Sequence, residues 1–179
     1  MVQPNTTVPP PQLLLVPTGV LRNRKVPGRV KIGYWIHDDN DQGLRSNSPL
    51  LVELGVLIVP VVGVTFTDNA YRDEAFAPGH RLVLIPEPTN ASDPHAVGVW
   101  DETRSKKAGY VPKIQAPKVA AALQHAPGLA AMTLMEIRKR LKGSGPRPVR
   151  TGLRILVAPP AVFDSMVVVV PRKGAVGGS

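Results

Sequence analysis

Ser92, Asp93 and His95 bring the residue types of a nucleophilic triad within four positions of one another. A working triad needs its three groups converging from separate elements, so adjacency in sequence is not triad geometry. His37-Asp38-Asp39-Asn40-Asp41 sets one imidazole beside three carboxylates. A calcium loop of the helix–loop–helix kind takes acidic or amide ligands at alternate positions, a central Gly and a terminal Glu. Asp39, Asp41 and Gly43 begin that pattern, but no Glu stands at the required place, and the cluster reads as an acidic surface loop. The four histidines, His37, His80, His95 and His125, are scattered, each in or next to a loop. There is no Gly-x-Ser-x-Gly, no Gly-rich lysine loop for phosphates and no His-Glu-x-x-His. The expectation is a binding protein rather than an enzyme, with no metal and no cofactor.

Charge points to what could be bound. The chain has 179 residues and a net charge of +9. The excess is uneven: residues 127–179 hold nine Lys/Arg against two Asp/Glu, whereas residues 61–126 hold seven of each. Basic surfaces attract phosphate backbones through counterion release, without reading sequence. The plainer reading is a solvated basic face that keeps the protein soluble.

Composition says what kind of fold can position such groups. Hydrophobic residues make up 43% and aromatics only 4%, so the core must be built mostly from Val, Leu, Ile and Ala. Twenty prolines and 16 glycines favour turns and short strands over long helices. Without cysteine there are no disulfides, thiolate zinc sites or cysteine nucleophiles, which fits a cytoplasmic protein. No secretory signal is expected. The longest apolar runs, 54–64 and 166–170, are too short or too proline-broken to span a bilayer.

The central stretch is Arg81 to Trp100. Arg81-Leu-Val-Leu-Ile85 reads as a strand, closed by Pro86 and Pro88, which cannot donate to a ladder. Asn90 and Asp93 turn the chain by accepting backbone N–H bonds two residues on, and Pro94 sets the turn. Ala96-Val-Gly-Val-Trp100 resumes as a strand. The connector is therefore stiff, polar and on the surface, where function often lies.

Around it, Gln12–Val16 and Val30–Ile36 read as strands, with Arg22–Arg29 a basic turn and 38–49 a flexible excursion. Val52–Val59 reads as a buried strand or a short helix, since so brief a run does not decide. Val61–Phe66 follows as a further strand, and Tyr71–Phe76 as one helical turn. Ala108–Val111 is a short strand, in which Gly109 lets another backbone come close. Gln115–Gln124 is a helix, with Pro117 in its first turn. Met132–Leu141 fits strand or helix. Gly152–Ala158 reads as a strand and Ala161–Val170 as a last one, with Val167–Val170 paired to avoid aggregation. If 132–141 is a strand, Arg138 and Arg140 share a face, as do Arg150 and Arg154.

Four pieces in order, Val62-Gly63-Val64-Thr65-Phe66, Leu82-Val83-Leu84 with Glu87-Pro88, Asn90-x-x-Asp93-x-x-Ala96-Val97, and Ala108-Gly109-Tyr110-Val111-Pro112, resemble the HIRAN domain. The resemblance covers roughly residues 61–126 and extends more weakly to about 160. It favours strand for Met132–Leu141. It implies a mainly β fold: a small OB-like or SH3-like β-barrel with one or two short helices, here with added N-terminal strands and flexible termini. The chain then divides into a proline-rich, partly disordered arm with a basic turn (1–29), lead-in strands and an acidic loop (30–60), the barrel (61–160), and a final strand and tail (161–179).

The resemblance also implies a function, since the best understood members grip single-stranded DNA at its free 3′ end. Asp93 stands where the family's Asp accepts the terminal 3′-hydroxyl, in the polar loop that Asn90 begins. Ser92 stands where DNA-binding relatives carry an aromatic. Thr65 stands where they carry a basic residue, while Phe66 keeps the stacking ring. Tyr110 and Lys113 fall where relatives place a polar ring and a cation near the backbone. Arg138, Arg140, Arg150 and Arg154 would add unspecific phosphate contacts. The expected function is a nucleic-acid-binding module for single-stranded DNA or 3′ ends, in repair or replication, with a helicase or nuclease as partner and no membrane. The alternative is a non-catalytic protein-interaction barrel that has lost end binding, as Ser92 and Thr65 would suggest.

Overall fold

The structure, a computed structural model, describes residues 11–125 and 127–170. The start of the expected arm, up to residue 10, and the expected tail from residue 171 lie outside the described residues. The described strands are β1 (Leu14–Pro17), β2 (Leu21–Arg22), β3 (Arg29–His37), β4 (Gly43–Leu44), β5 (Leu57–Pro60), β6 (Arg81–Pro86), β7 (Val97–Asp101), β8 (Lys107–Tyr110), β9 (Ala130–Lys139), β10 (Val149–Ala158) and β11 (Val167–Val168). The helices are α1 (Pro49–Glu53), α2 (Ala116–Leu123) and α3 (Pro160–Ser165).

β9 organises the sheet. One edge pairs antiparallel with β10 along its whole length, from Ala130↔Ala158 to Lys139↔Val149. The other edge is shared: Ala131 and Met132 pair with β6, and Met135 to Lys139 pair with β3. From β6 the sheet runs on through β7 to β8, and from β3 through β1 to β11. Both faces of the β9–β10 ribbon are covered. Ala131, Leu153, Ile155 and Val157 join one core with Val97, Val99 and Val119. Met132, Leu134, Leu156 and Ala158 join another with Leu13, Ile36 and Phe163. Burial on two faces explains why Met132–Leu141 shows no clean alternation, and its ladder partners make it a strand.

The expected closed barrel does not form. β5 pairs with β10, and closure would require it to meet β8. Only an isolated bridge stands there, with Val62 N–H donating to Tyr110 O at 2.9 Å and Tyr110 N–H to Val62 O at 2.8 Å. That approach depends on Gly109, where a Cβ would sit 2.4 Å from the Val62 carbonyl oxygen. The sheet is thus mainly β, open, and flanked by short helices.

Local elements differ from the sequence reading in four places. Val61–Phe66 is not a strand: Pro60 ends the ladder, Gly63 turns left-handed at φ +69°, and Val64–Phe66 is a 3-10 turn. Residues 52–59, left open between strand and short helix, divide: 52–53 end the helix Pro49–Glu53, and the strand begins only at Leu57, after Gly55 at φ +70°. The first half of Ala161–Val170 is α3, opened by Pro160 in the first turn, and only Val167–Val168 pairs as a strand, parallel to β1. Residues 38–49 are not a loose excursion. Asp38 Oδ1 accepts from Asn40 and Gln42 N–H at 3.0 and 2.8 Å, and Gly43–Leu44 pairs back onto β3. β3, read as a lead-in, belongs to the same sheet as the central hairpin.

Candidate functional site

The β6–β7 connector is built as its residue types require. Asn90 Oδ1 accepts the N–H groups of Ser92 and Asp93 at 3.0 and 3.3 Å. Asp93 Oδ1 accepts that of His95 at 2.9 Å. Glu87 N–H and Ala96 O close the base at 2.8 Å. Each short side chain replaces a backbone partner, so the loop is held without regular structure. Asp93 meets the backbone of His95 rather than its ring, and that contact is not the Asp–His bond of a triad.

The facing wall is the 3-10 turn after Gly63. Phe66 N–H donates to Gly63 O at 3.0 Å. Thr67 Oγ1 donates to Val64 O at 2.9 Å and reaches Ala108 O at 3.2 Å, tying the turn to β8. The turn leaves the Phe66 ring 86% exposed. A Cβ at Gly63 would lie 3.2 Å from the Tyr110 ring and 3.7 Å from that of Phe66, so this glycine sits between the two aromatics.

Between loop and turn lies a groove of about 390 Å³, lined by Phe66, Asn90, Ser92, Asp93, Tyr110 and Lys113, with Val62, Gly63, Ala96 and Val111 completing its walls. Six of the residues singled out in the sequence therefore converge, though they come from three separate stretches. Thr65 stands exposed on the turn and does not line the groove.

Tyr110 is held from outside the groove. Lys107 Nζ donates to its hydroxyl at 2.8 Å and to Glu87 Oε1 at 2.9 Å. The same ammonium lies 4.6 Å from the Tyr110 ring centre and 5.2 Å from that of Trp100. Burial pulls the Lys107 ammonium down, but the bonds to Tyr110 and Glu87 outweigh it and hold it above its usual value. This support was not legible in the sequence, because Glu87 and Lys107 are 20 residues apart and meet only through the β6–β7–β8 register.

The four arginines do not share one surface. A bulge between Arg150 and Gly152 shifts the β9–β10 register, which turns Arg150 and Arg154 to opposite faces. Arg150 is 5% exposed. Its Nε donates to Glu136, and its Nη1 to the carbonyls of Tyr71 and Asp73 at 3.0 and 2.6 Å. It is a buried structural cation without room for a phosphate, which corrects its expected role. Arg154 is exposed on the face that carries Lys31. Burial first, then the guanidiniums of Arg154 and Arg29, hold Lys31 below its usual value. Arg138 and Arg140 line a separate groove.

Around the acidic loop, His37 Nδ1 meets Asp41 Oδ1 at 2.7 Å. Among the described residues, no three His, Cys, Asp or Glu side chains are grouped to hold a metal, and no helix is long and apolar enough to cross a membrane.

Comparison with known proteins gives two findings. The family model described as "HIRAN domain" matches residues 54–143. Among solved structures, the chain is similar to the crystal structure of the HIRAN domain of human HLTF, at 16% identity and a TM-score of 0.39, covering 62% of this chain and 84% of that one. No curated protein matches the chain.

Proposed function

The chain belongs to the HIRAN domain family, and from that premise we propose that it binds nucleic acid, its groove taking the free 3′ end of a single DNA strand. One observation carries the reading: Phe66, Asn90, Ser92, Asp93, Tyr110 and Lys113 line one open groove. Three of them supply the parts of end recognition. The Phe66 face stacks a base, the Lys113 ammonium attracts a phosphate, and the Asp93 carboxylate accepts the terminal hydroxyl. A carboxylate repels phosphate, so it favours a free end over a continuing strand. Oδ1 of Asp93 is used by the turn, and among the described residues no protein donor is bonded to Oδ2. Capping and capture therefore work together.

The module acts by binding and not by catalysis. It serves DNA repair or replication in the cytoplasm, beside a helicase or nuclease that supplies the chemistry. Titrating labelled oligonucleotides that end in 3′-hydroxyl or 3′-phosphate, at two salt concentrations, tests this. The hydroxyl end should bind more tightly at both salts. Equal binding of the two ends rejects end capture, and no binding at low salt rejects the module.

A second reading has its own support. Phe66 and Ile114 are 86% and 85% exposed, and Val62 is 40% exposed. Such an apolar surface also suits a protein partner, and Ser92 leaves the loop without the expected ring. Retention of a partner protein by a variant that has lost all oligonucleotide binding would favour it.

A further inference from the structure

A second groove, of about 660 Å³, shares no residue with the one between loop and turn. It lies where β2, β3 and the end of β9 run side by side. Register puts Arg22 opposite Val30, and Val30 opposite Arg138, so the three side chains form one row across the sheet. Alternation adds Val20, Ile32 and Arg140 to the same face, and all six line the groove. Arg147 and Pro148 close it from the β9–β10 connection. The result is an apolar strip, Val20, Val30 and Ile32, edged by four guanidiniums.

The charge on this face is only partly compensated. Glu136, the acidic residue on the same face of β9, already holds Arg138 Nε at 2.6 Å and the buried Arg150. Among the described residues no carboxylate forms an ion pair with Arg22, Arg140 or Arg147. Guanidiniums held along a groove by adjacent strands repel one another and attract the phosphates of a backbone. Neighbouring strands are about 4.8 Å apart, so the backbones of Arg22 and Arg138, two strands apart, are separated by about 10 Å and their side chains flank Val30. Arg22 and Arg147 lie outside the matched residues 54–143. The groove is therefore completed by segments that flank the family match.

We propose that this arginine groove is a second nucleic-acid site, which grips the phosphate backbone of a strand without reading its end or its sequence. The inference does not need end capture, and the two fail separately. The apolar strip receives sugar and base, and the arginines neutralise the phosphates beside them. Such a site adds affinity equally to every oligonucleotide, and its contribution falls with salt.

The test compares the wild-type protein with R22A/R140A/R147A and with R22K/R140K/R147K. Among the described residues none of the three arginines holds an ion pair, and thermal melting checks that the variants remain folded. Affinity for a labelled single strand is measured across a salt series. Losing three phosphate contacts should flatten the plot of log affinity against log salt by about 2, at roughly 0.7 per contact. It should also weaken binding by about tenfold or more at low salt. Hydroxyl-ended and phosphate-ended strands should lose affinity by the same factor. The lysine variant should keep most of the affinity, because charge is retained. If wild type shows no end preference and the alanine variant still loses affinity and slope, end capture fails and the arginine groove stands. An unchanged slope in the alanine variant overturns the groove, as does a lysine variant as weak as the alanine one.

Discussion

At the scale of single residues, Phe66 and Glu136 are opposites, one exposed and one buried. A ring 86% exposed on a 3-10 turn contributes little to folding, since surface substitutions usually stay within about ±0.5 kcal/mol. Phe66→Ala should therefore leave the denaturant midpoint almost unchanged. It should weaken single-strand binding by about 1–3 kcal/mol, the usual loss of one stacking platform, measured by anisotropy titration. Glu136 is the reverse case. It is 2% exposed and bonded to both Arg150 and Arg138. Glu136→Ala leaves the buried Arg150 guanidinium without its carboxylate, and breaking such a pair costs about 3–5 kcal/mol. Urea unfolding should show that loss. Binding corrected for the folded fraction should change little beyond the release of Arg138.

Elements set the distances between such residues. Gly63 begins the turn at φ +69° and lies between two rings. Gly63→Ala combines a left-handed backbone, which costs a residue with a Cβ about 1–2 kcal/mol, with pressure on Tyr110. Binding should fall more than stability does, as read by comparing a melting curve with a titration. The β7–β8 turn carries a pH signature. Burial raises the Asp101 carboxyl, but the hydroxyls of Thr103 and Ser105 and the N–H of Lys106 outweigh it and hold it below its ordinary 3.8. A depressed carboxyl stabilises above its unfolded value, and that stability is lost as pH falls through the folded one. Urea midpoints should therefore drop below about pH 3.8 in wild type, and drop less in Asp101→Asn. Sequence made the central hairpin, its Asx turn and α2 legible, because proline, asparagine and aspartate act through local bonds. It missed the turn at Val64–Phe66 and the helix at Pro160–Ser165, where apolar runs look strand-like and only tertiary pairing decides. The Arg150 bulge was equally hidden, since one inserted residue reverses a face without leaving a mark in the residue types.

For the whole molecule, the groove between loop and turn depends on a sheet that stays open. β8 and the segment after β5 meet at one bridge, Val62 to Tyr110, and not along a ladder. That leaves the Phe66 turn free to stand beside the Asp93 loop. The candidate residues were legible through the ordered spacing of four short pieces, which carried the groove lining almost complete. Arg22 and Arg147 were not, because their groove arises only when β2, β3 and β9 are laid side by side. Whether the Asp93 carboxylate accepts the 3′-hydroxyl, as proposed, is read from a double-mutant cycle. Wild type and Asp93→Ala are each titrated with strands ending in 3′-hydroxyl and in 3′-hydrogen. A hydrogen bond to a charged group predicts a coupling of about 1.5–3 kcal/mol, with the alanine variant indifferent to the hydroxyl. Losses that simply add, within about 0.5 kcal/mol, would contradict it.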